Sequence, residues 1–348
     1  MLKALPAKVS QQILMLLDRN WQSFFEAMST YNSEPSKFLA RPKLPKYKDK
    51  KKGRNLLIYT TQALSKTGLK KGLIQPSKTK LSMTTKVKFV DIAQVRIVPK
   101  LDHYVLEVVY NVVEKLEACD PNKVASADLG VNNLAAVTFN QPGLKPLLIN
   151  GRPLKSINQY YNRKKAKLQS ALGRENATSN QIKILSTKRN HKVDDYLHKA
   201  SRYLINVLLF RGIGTLIIGK NVGWKQSTEI GKHHNQNFVS IPHARFIEQL
   251  QYKAALVGIK VIVTEESYTS LASFLDDDVI PNYQQGFSNY KFSGRRIKRG
   301  MYKSKSGRQL NADVNGAYNI MRKAVPSMSL TEGIEGVVVR PVRVTPAK

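Results

Sequence analysis

Cysteine is scarce in this chain, and long apolar runs and the features of an export signal are missing. Its 348 residues include one cysteine, Cys119, which cannot form an intrachain disulfide or a cysteine-rich zinc site. No apolar stretch approaches the roughly 20 residues that cross a bilayer. The N-terminal MLKALPAKVSQQ lacks an apolar core and a small-residue cleavage site. We therefore expect a cytoplasmic, globular protein without a membrane anchor.

Acidic residues are few compared with basic ones. The chain has 24 Asp and Glu against 57 Lys and Arg, which gives a formal net charge of +33. This excess favours a polyanionic partner. Binding to a membrane surface is the alternative, but the basic residues are spread throughout the chain instead of lying on one amphipathic helix. We expect nucleic acid to be the partner.

The first 119 residues read as a helix, a basic loop and a small β-rich domain. Apolar residues recur near a 3.6-residue period over 6–31, which predicts a helix. Prolines interrupt the loop that follows, which is either a solvated connector or a phosphate-binding segment. Strand-like runs such as HYVLEVVYNVV fill 55–119, and the composition shifts near EACDPNK. The candidate nucleic-acid contacts of the loop are Lys43, Lys46, Lys50, Lys51, Lys52 and Arg54.

Residues 120–348 predict an α/β domain. Three short apolar runs, starting with VASADLGV, precede helix-like segments over 155–172 and about 181–210. The strand LIIGKN, a helix over about 242–257, the strand IKVIVTEE and a final helix follow. This order predicts a mixed sheet flanked by helices, as in the ribonuclease H-like fold.

Four acidic residues stand at chemically informative places in this domain. Asp128 is expected at the centre of the first strand, although a lone aspartate before Leu-Gly would more simply accept turn hydrogen bonds. Glu265 and Glu266 end a later strand, and Asp313 begins the final helix. Such positions can converge at one edge of a sheet and hold divalent cations through oxygen atoms. Two Mg²⁺ or Mn²⁺ ions about 4 Å apart would then support phosphodiester hydrolysis.

The final helix carries small residues beside Asp313. Asp313, Gly316, Ala317 and Ile320 share one face, so the helix can lie close to the sheet. Asn311 and Asn315 either cap the helix or bond to backbone or phosphate groups. On the long preceding helices an apolar stripe is expected in the core. Lys188, Arg189 and Lys192 are the candidate nucleic-acid contacts there, and His243 is interpreted as a surface or phosphate-contacting residue.

Three segments together resemble the TnpB family. They are ADLGVNNLAAV (127–137), TEESYTS (264–270) and NADVNGAYNI (311–320). This family comprises RNA-guided nucleases encoded by bacterial insertion sequences, long described as transposases and related to type V CRISPR effectors and to Fanzor nucleases. The resemblance implies a guide RNA and a target DNA as partners, and cleavage of guide-matched DNA in the bacterial cytoplasm, near the nucleoid. A guide-loaded binder without cleavage activity and a strand-transfer transposase are the alternatives.

The resemblance also assigns parts of the chain. It implies a helical recognition segment with the basic loop (1–54), a small β-barrel-like wedge domain (55–119) and a RuvC-like nuclease domain (120–348) with a basic hairpin insert at about 271–310. Relatives often begin with a strand and further helices ahead of the segment that matches Leu5–Phe25. We therefore expect a reduced recognition region in this chain.

Catalytic residues carry over from the family with one change. Asp128 matches the first acid of the nuclease domain and Asp313 the third. Many relatives carry the second acid on the strand that reads LIIGKN, where this chain has Gly219. A glutamate of the next strand is the expected replacement. We favour Glu266 over Glu265, since strand neighbours face opposite sides and one of them should face the metals.

The segment after Tyr-Thr-Ser departs from the family as well. Relatives usually have two Cys-x-x-Cys pairs there, but this chain has Ser273 near the first position and no cysteine beyond Cys119. We expect no zinc, a hairpin packed on its own aromatic side chains, and a polar turn at Asp276–Asp278. The candidate contacts with the target strand are Arg295, Arg296, Lys298 and Arg299.

Overall fold

The computed structural model describes residues 5–49, 53–172, 178–221, 239–283, 290–326, 334 and 336–346. The chain divides into two compact units, Met1–Val113 and Glu114–Lys348. The finer division of the sequence into three domains stays a prediction. Among the described residues, no helix combines the length and the apolar character that crossing a membrane requires.

The first unit packs one long helix on a small antiparallel sheet. Its helices and strands are α1 (Ala7–Ser33), β1 (Leu57–Thr60), α2 (Lys66–Lys70), β2 (Leu73–Ile74), β3 (Met83–Thr84), β4 (Ile92–Pro99) and β5 (Tyr104–Tyr110). Strands β1, β4 and β5 form a three-stranded sheet, and β2 pairs with β3. Val9 of α1, Tyr59 of β1 and Val95 of β4 meet in the core and are at most 1% exposed. The helix and the β-rich segment expected from the sequence are both present.

The second unit contains the larger sheet. Its helices and strands are β6 (Asp120–Leu129), β7 (Asn133–Phe139), β8 (Leu147–Asn150), α3 (Arg152–Ser170), α4 (Asn180–Phe210), β9 (Ile213–Gly219), α5 (His243–Ala255), β10 (Lys260–Thr264), β11 (Arg295–Lys298), β12 (Met301–Lys303), β13 (Gln309–Asn311), α6 (Ala312–Ala324) and β14 (Val342–Val344). Strands β11, β12 and β13 form a separate antiparallel sheet within the predicted insert.

Six strands form the central sheet in the order β10-β9-β6-β7-β8-β14. Strands β6, β9 and β10 are mutually parallel, and β7 is antiparallel to both of its neighbours. Counted along the chain, the first five strands of this sheet are β6 to β10. They lie side by side in the order 3-2-1-4-5, and the second of them, β7, is antiparallel to its neighbours. This is the topology of the ribonuclease H-like fold, so the predicted fold class is confirmed.

Side chains of the central strands alternate between two hydrophobic layers. Ala125 and Ala127 of β6 face the cluster that contains α4 and α5, whereas Val124 faces the cluster that contains α6. The period of two places Ser126 and Asp128 on the α6 side as well. Ser126 confirms this direction because its Oγ donates to the carbonyl oxygen of Ala317 in α6 at 2.6 Å.

Candidate active site

Asp128 lies near the C-terminal end of β6, directly beneath α6. The strand ends at Leu129, so Asp128 is the second-last residue of β6. The central position expected from the sequence is therefore wrong. A β-carbon added at Gly316 would stand 2.6 Å from Asp128 Oδ2. The small-residue face of α6 thus brings the helix backbone into contact with the carboxylate, which a larger residue at position 316 would displace.

Asp313 stands in the first turn of α6, where its position is fixed from two sides. Asn311 caps the helix, since its Oδ1 accepts from the backbone N–H groups of Asp313 at 3.0 Å and Val314 at 3.2 Å. The Nδ2 of Asn133 on β7 donates to Asp313 Oδ2 at 2.7 Å. Sequence reasoning missed Asn133, although an asparagine at the start of a fully buried strand could have signalled a polar partner.

Glu265 is engaged in a structural ion pair. Its Oε2 accepts from the Nζ of Lys323, and its Oε1 accepts from the backbone N–H of Ser267 at 2.7 Å. Partial burial alone would raise the pKa of Glu265, but the bonds from Lys323 and Ser267 hold it below its usual value. The same ammonium donates to the carbonyl oxygens of Ser267 and Pro281, each at 3.1 Å. Glu265 therefore stabilises the segment after β10.

Glu266 has the opposite environment. Its Oε2 is buried, and none of the described residues forms a hydrogen bond with it. A β-carbon at Gly219, the last residue of β9, would lie 2.6 Å from this oxygen. The carboxylate thus lies over the end of the strand that lacks an acid of its own. Burial, and next the charge of Glu265, raise the pKa of Glu266 to about 7.

Two other acids, one after β10 and one on α6, act on the ionisation of Asp128 on β6. Burial raises the pKa of Asp128 well above its usual value, and the charges of Asp313 and then Glu266 raise it further. Arg296 of β11 acts in the opposite direction. The fold therefore brings Asp128, Glu266 and Asp313 within electrostatic reach of each other, with Glu265 turned to Lys323.

The donor chemistry of this cluster fits a hard divalent cation. Carboxylate and amide oxygens are the ligands that Mg²⁺ and Mn²⁺ prefer. Two buried oxygens, Glu266 Oε2 and Asn133 Oδ1, have no hydrogen-bond partner among the residues that the structure describes. A cation would also offset the mutual repulsion of the acids. The described part of the chain nevertheless contains no group of three or more His, Cys, Asp or Glu side chains already arranged to hold an ion. Binding would require the carboxylates to draw closer together.

Basic candidates of the first unit differ in their surroundings. Lys43 and Lys46 are exposed in the extended segment after α1. Arg54 donates to the carbonyl oxygen of Lys100 and lies over the ring of Tyr104, with 5.4 Å between its Cζ and the ring centroid. It therefore ties the loop to the turn between β4 and β5. Residues 50–52, which include three further candidate lysines, lie outside the described part of the chain.

In the second unit, α3 and α4 enclose a groove of about 960 Å³ whose lining includes Lys188 and Lys192. Arg189 also lines this groove, but its guanidinium is held by other groups of the protein. Its Nε donates to Asn158 Oδ1 at 2.7 Å, and its Nη2 donates to the carbonyl oxygen of Ser240 at 2.6 Å. These bonds give Arg189 a structural role, and the nucleic-acid contact expected for it stays a prediction.

The insert is held by carboxylates that bond to serine and backbone groups. Asp278 Oδ2 accepts from Ser273 N at 2.7 Å, and Asp278 Oδ1 accepts from Ser293 Oγ at 2.5 Å. Asp276 Oδ2 accepts from Ser273 Oγ at 2.5 Å and from Lys305 N at 2.7 Å. The predicted polar turn is thus observed. The four basic candidates of the arm, Arg295, Arg296, Lys298 and Arg299, are exposed.

His243 was interpreted wrongly from the sequence. It begins α5 and is 0% exposed, and its Nε2 lies 2.9 Å from the carbonyl oxygen of Gly130. It therefore anchors α5 to the turn that follows Asp128. No local pattern distinguishes a buried histidine of this kind from an exposed one, because its partner is more than a hundred residues away.

Comparison with protein-family models gives two matches. Residues 107–225 match the model OrfB_IS605, described as a probable transposase. Residues 243–320 match the Cas12f1-like TNB domain. The first match contains Asp128, and the second contains Glu266 and Asp313. Together the matches span more than half of the chain and most of the second unit.

Two curated relatives each match more than half of this chain. A TnpB-like protein of Acidianus two-tailed virus is 27% identical over 59% of this chain and 42% of its own length. The CRISPR-associated endodeoxyribonuclease Cas12f2 of a Micrarchaeota archaeon is 24% identical over 57% of this chain and 36% of its own length. The chain thus spans less than half the length of these two relatives.

Among solved structures, a cryo-EM complex of Cas12f1 with sgRNA and target DNA aligns with 68% of this chain and 46% of the matched chain. The TM-score is 0.47 and the sequence identity is 16%. The family assignment depends instead on the two family models and the curated relatives. On these matches, and with the acids in the expected segments, the chain belongs to the TnpB family.

Proposed function

We propose that this chain is an RNA-guided, metal-dependent DNA endonuclease of a mobile genetic element. The observation that carries this proposal is the cluster of Asp128, Glu266 and Asp313 at one edge of a ribonuclease H-like sheet, where the acids raise the pKa of Asp128. Such a cluster is costly, because Asp128 is buried and its neighbouring carboxylates repel it, unless bound cations compensate the negative charge.

Each acid has its own part in this proposal. Asp128, Glu266 and Asp313 would hold two divalent ions, and such ions would supply Lewis-acid chemistry for phosphodiester hydrolysis. Asn133 orients Asp313 through its 2.7 Å hydrogen bond. Glu265 is not a ligand in this proposal, because its carboxylate neutralises Lys323.

Guide RNA and target DNA are the proposed partners. The excess of basic residues would bind phosphates without regard to sequence, while base pairing with the guide would select the target. The exposed basic residues proposed to contribute are Lys43, Lys46, Lys188, Lys192, Arg295, Arg296, Lys298 and Arg299. Within the second unit, Arg296 on the arm of β11 is near enough to the acids for its charge to act on Asp128.

A cleavage assay tests the proposal directly. The full chain is purified with the RNA that accompanies it, that RNA is sequenced, and matched DNA with randomised flanks is supplied with Mg²⁺. We expect cleavage that depends on the guide and on the metal. Asp128→Asn removes the charge at nearly constant shape and should abolish cleavage, whereas the matched control Asp195→Asn, on exposed α4 surface, should retain it.

The same assay separates the two alternatives. Tight, guide-dependent binding to the target without any product would show a binding protein that does not cut. Joined DNA products in place of free ends would show strand transfer, the reaction that the description of the matching family as a probable transposase suggests. Cleavage that survives Asp128→Asn would refute the assignment of the active site.

A further inference from the structure

Helix α6 contacts two different parts of the second unit through two of its faces. Asp313, Gly316 and Ile320 face the end of the sheet, where Gly316 contacts Asp128 and Ile320 lies against Gly219. Asn315 and Asn319 are one helical turn apart on another face, and both are 0% exposed. Two fully buried asparagines on one helix need hydrogen-bond partners, and both find them in the same loop.

That loop is the segment after β10. Asn315 accepts from the backbone N–H of Phe274 at 3.0 Å and donates to the carbonyl oxygen of Ala272 at 2.7 Å. Asn319 donates to the carbonyl oxygens of Thr269 at 2.9 Å and Ala272 at 2.7 Å. Four hydrogen bonds thus join the helix that carries Asp313 to the backbone of residues 269–274.

The loop is in turn joined to Glu266. The backbone N–H and the Oγ1 of Thr269 both donate to the carbonyl oxygen of Glu266, at 3.2 and 2.8 Å. On the other side, the backbone N–H of Glu266 donates to Asn221 Oδ1 at 3.0 Å. A continuous series of hydrogen bonds therefore runs from Asn319 through Thr269 to the backbone of Glu266.

Two features indicate that this backbone needs to be held. Tyr268 has a φ of +65°, a left-handed conformation that is strained for a tyrosine and persists only where its surroundings enforce it. Within the described part of the chain, the buried Oε2 of Glu266 has no hydrogen-bond partner. The hydrogen bonds of the surrounding main chain therefore help to determine where this side chain lies.

We propose that Asn315 and Asn319 are positioning residues that set the place of Glu266 relative to Asp128 and Asp313. They hold the loop of Glu266 on the same helix that supplies Asp313, so that one rigid element fixes the geometry between two of the three acids. This inference rests on the proposed metal-dependent function. It adds that the asparagines determine how tightly the cluster binds cations.

The test compares Asn319→Leu with Tyr318→Phe. Leucine has a similar volume but cannot donate to Thr269 and Ala272. Tyr318 is the adjacent buried residue of α6, and its hydroxyl is without a partner, so phenylalanine keeps the ring that stacks on Phe274 with 4.3 Å between centroids. The binding of Mn²⁺ to the full-length protein is measured by calorimetry, and the Mg²⁺ dependence of cleavage is measured below the melting temperature of each variant.

We expect Asn319→Leu to weaken Mn²⁺ binding by about 10- to 100-fold, as loss of outer-shell partners typically does, and to raise the Mg²⁺ concentration for half-maximal cleavage similarly. Tyr318→Phe should change neither quantity. A merely structural role would lower the melting temperature and the active fraction but leave the metal dependence of the folded molecules unchanged. That result would overturn the inference.

Thr269→Val provides a second variant if Asn319→Leu does not fold. It keeps the shape of a side chain that is 4% exposed and removes one hydrogen bond to Glu266. A shift in metal dependence of the same sign supports the inference, and unchanged metal dependence refutes it. A wild-type protein that neither binds Mn²⁺ nor cleaves would instead refute the proposed function, whereas a responsive wild type with unresponsive variants refutes the positioning role alone.

Discussion

The carboxylate of Glu266 occupies the space beside Gly219 that a side chain on β9 would otherwise fill. A β-carbon at Gly219 would lie 2.6 Å from Glu266 Oε2 and 2.5 Å from Ile320 Cδ1. The glycine therefore allows an acid from the segment after β10 to reach the end of β9. This contact explains in steric terms how the cluster can keep three acids although β9 contributes none.

Gly219→Ala tests this contact through stability. The methyl group must displace both Glu266 and Ile320, and such overpacking costs about 1–3 kcal/mol in the free energy of unfolding. In a Glu266→Ala background the cost should be smaller, because the carboxylate is no longer in the way. Urea unfolding of the four proteins measures this coupling. Gly336→Ala, where an added β-carbon meets nothing within 4 Å, is the control. An equal cost in both backgrounds would contradict the contact.

The two neighbouring glutamates should respond differently to neutralisation. Glu266→Gln should lower the cleavage rate by about 100-fold or more, the scale of losing one group that stabilises the transition state. Glu265→Gln should retain most of the rate but lower the melting temperature, because Lys323 loses its carboxylate partner. Single-turnover cleavage and thermal unfolding together separate these effects. The reverse pattern would assign the metal site to Glu265.

Asn133→Leu should weaken the site without removing an acid. The substitution removes the amide that donates to Asp313, and loss of such a partner typically costs about 10- to 100-fold in metal affinity or activity. Thr138→Val on the same strand is a matched control, since Thr138 is buried but bonds to Ser126 and not to the acids. Titration of cleavage with Mg²⁺ compares the two variants. Equal responses would mean that Asn133 has no specific effect on Asp313.

A buried lysine on α5 should make stability dependent on pH. Lys253 is 4% exposed, and it donates to the carbonyl oxygen of His198 at 2.9 Å and to Ser201 Oγ at 2.6 Å. Burial, and next the charge of Arg202, lower the pKa of Lys253 to about 8 from its usual 10.5. The unfolded chain therefore binds more protons than the folded one between these two values, so the free energy of unfolding should rise with pH in that window.

The lysine-specific part of this rise is isolated by substitution. Lys253→Met should flatten the increase between about pH 8 and 10.5, because methionine has no proton to lose. Lys188→Met removes an exposed lysine and should leave the slope of the wild type unchanged. Denaturant unfolding at several pH values measures both. Identical slopes for all three proteins would contradict the lowered pKa.

The insert should keep its structure when metals are removed. Asp276 and Asp278 bond to Ser273, Ser293 and Lys305, and no described cysteine lies near them. A chelator should therefore leave hydrogen exchange of β11–β13 unchanged, and metal analysis should find no stoichiometric zinc. Asp278→Ala should accelerate exchange there, because unpaired buried donors cost about 1–3 kcal/mol. Faster exchange on chelation would indicate a structural metal instead.

Much of the fold follows from local patterns in the sequence. Strands β7 and β9 are buried at every position, and their continuous apolar runs signal a central sheet. Strand β14 was not predicted, because its three residues are mostly exposed and have no period that distinguishes them from a loop. It exists because the edge of β8 is available for pairing, and that is a property of the assembled sheet.

The acids of the site were predictable, but their partners were not. Asp128 and Asp313 stand at recognisable positions of a strand and a helix. Asn133 and Lys323, which hold two of the acids, act across 180 and 58 residues of sequence. Lys188 and Arg189 are neighbours with the same charge, yet one is exposed and the other bonds inward. That difference depends on the rotation of α4 against the packed helices, which composition does not encode.

The parallel pairing of β14 with β8 has a practical consequence. Val342–Val344 covers the outer edge of the central sheet, with its register fixed against Leu147–Ile149. A chain truncated before position 342 would leave a row of unpaired backbone donors and acceptors along β8, and such open edges recruit strands from other molecules. Shortened versions of this protein would therefore tend to self-associate, and an added polar helix or a proline at that edge would be the remedy.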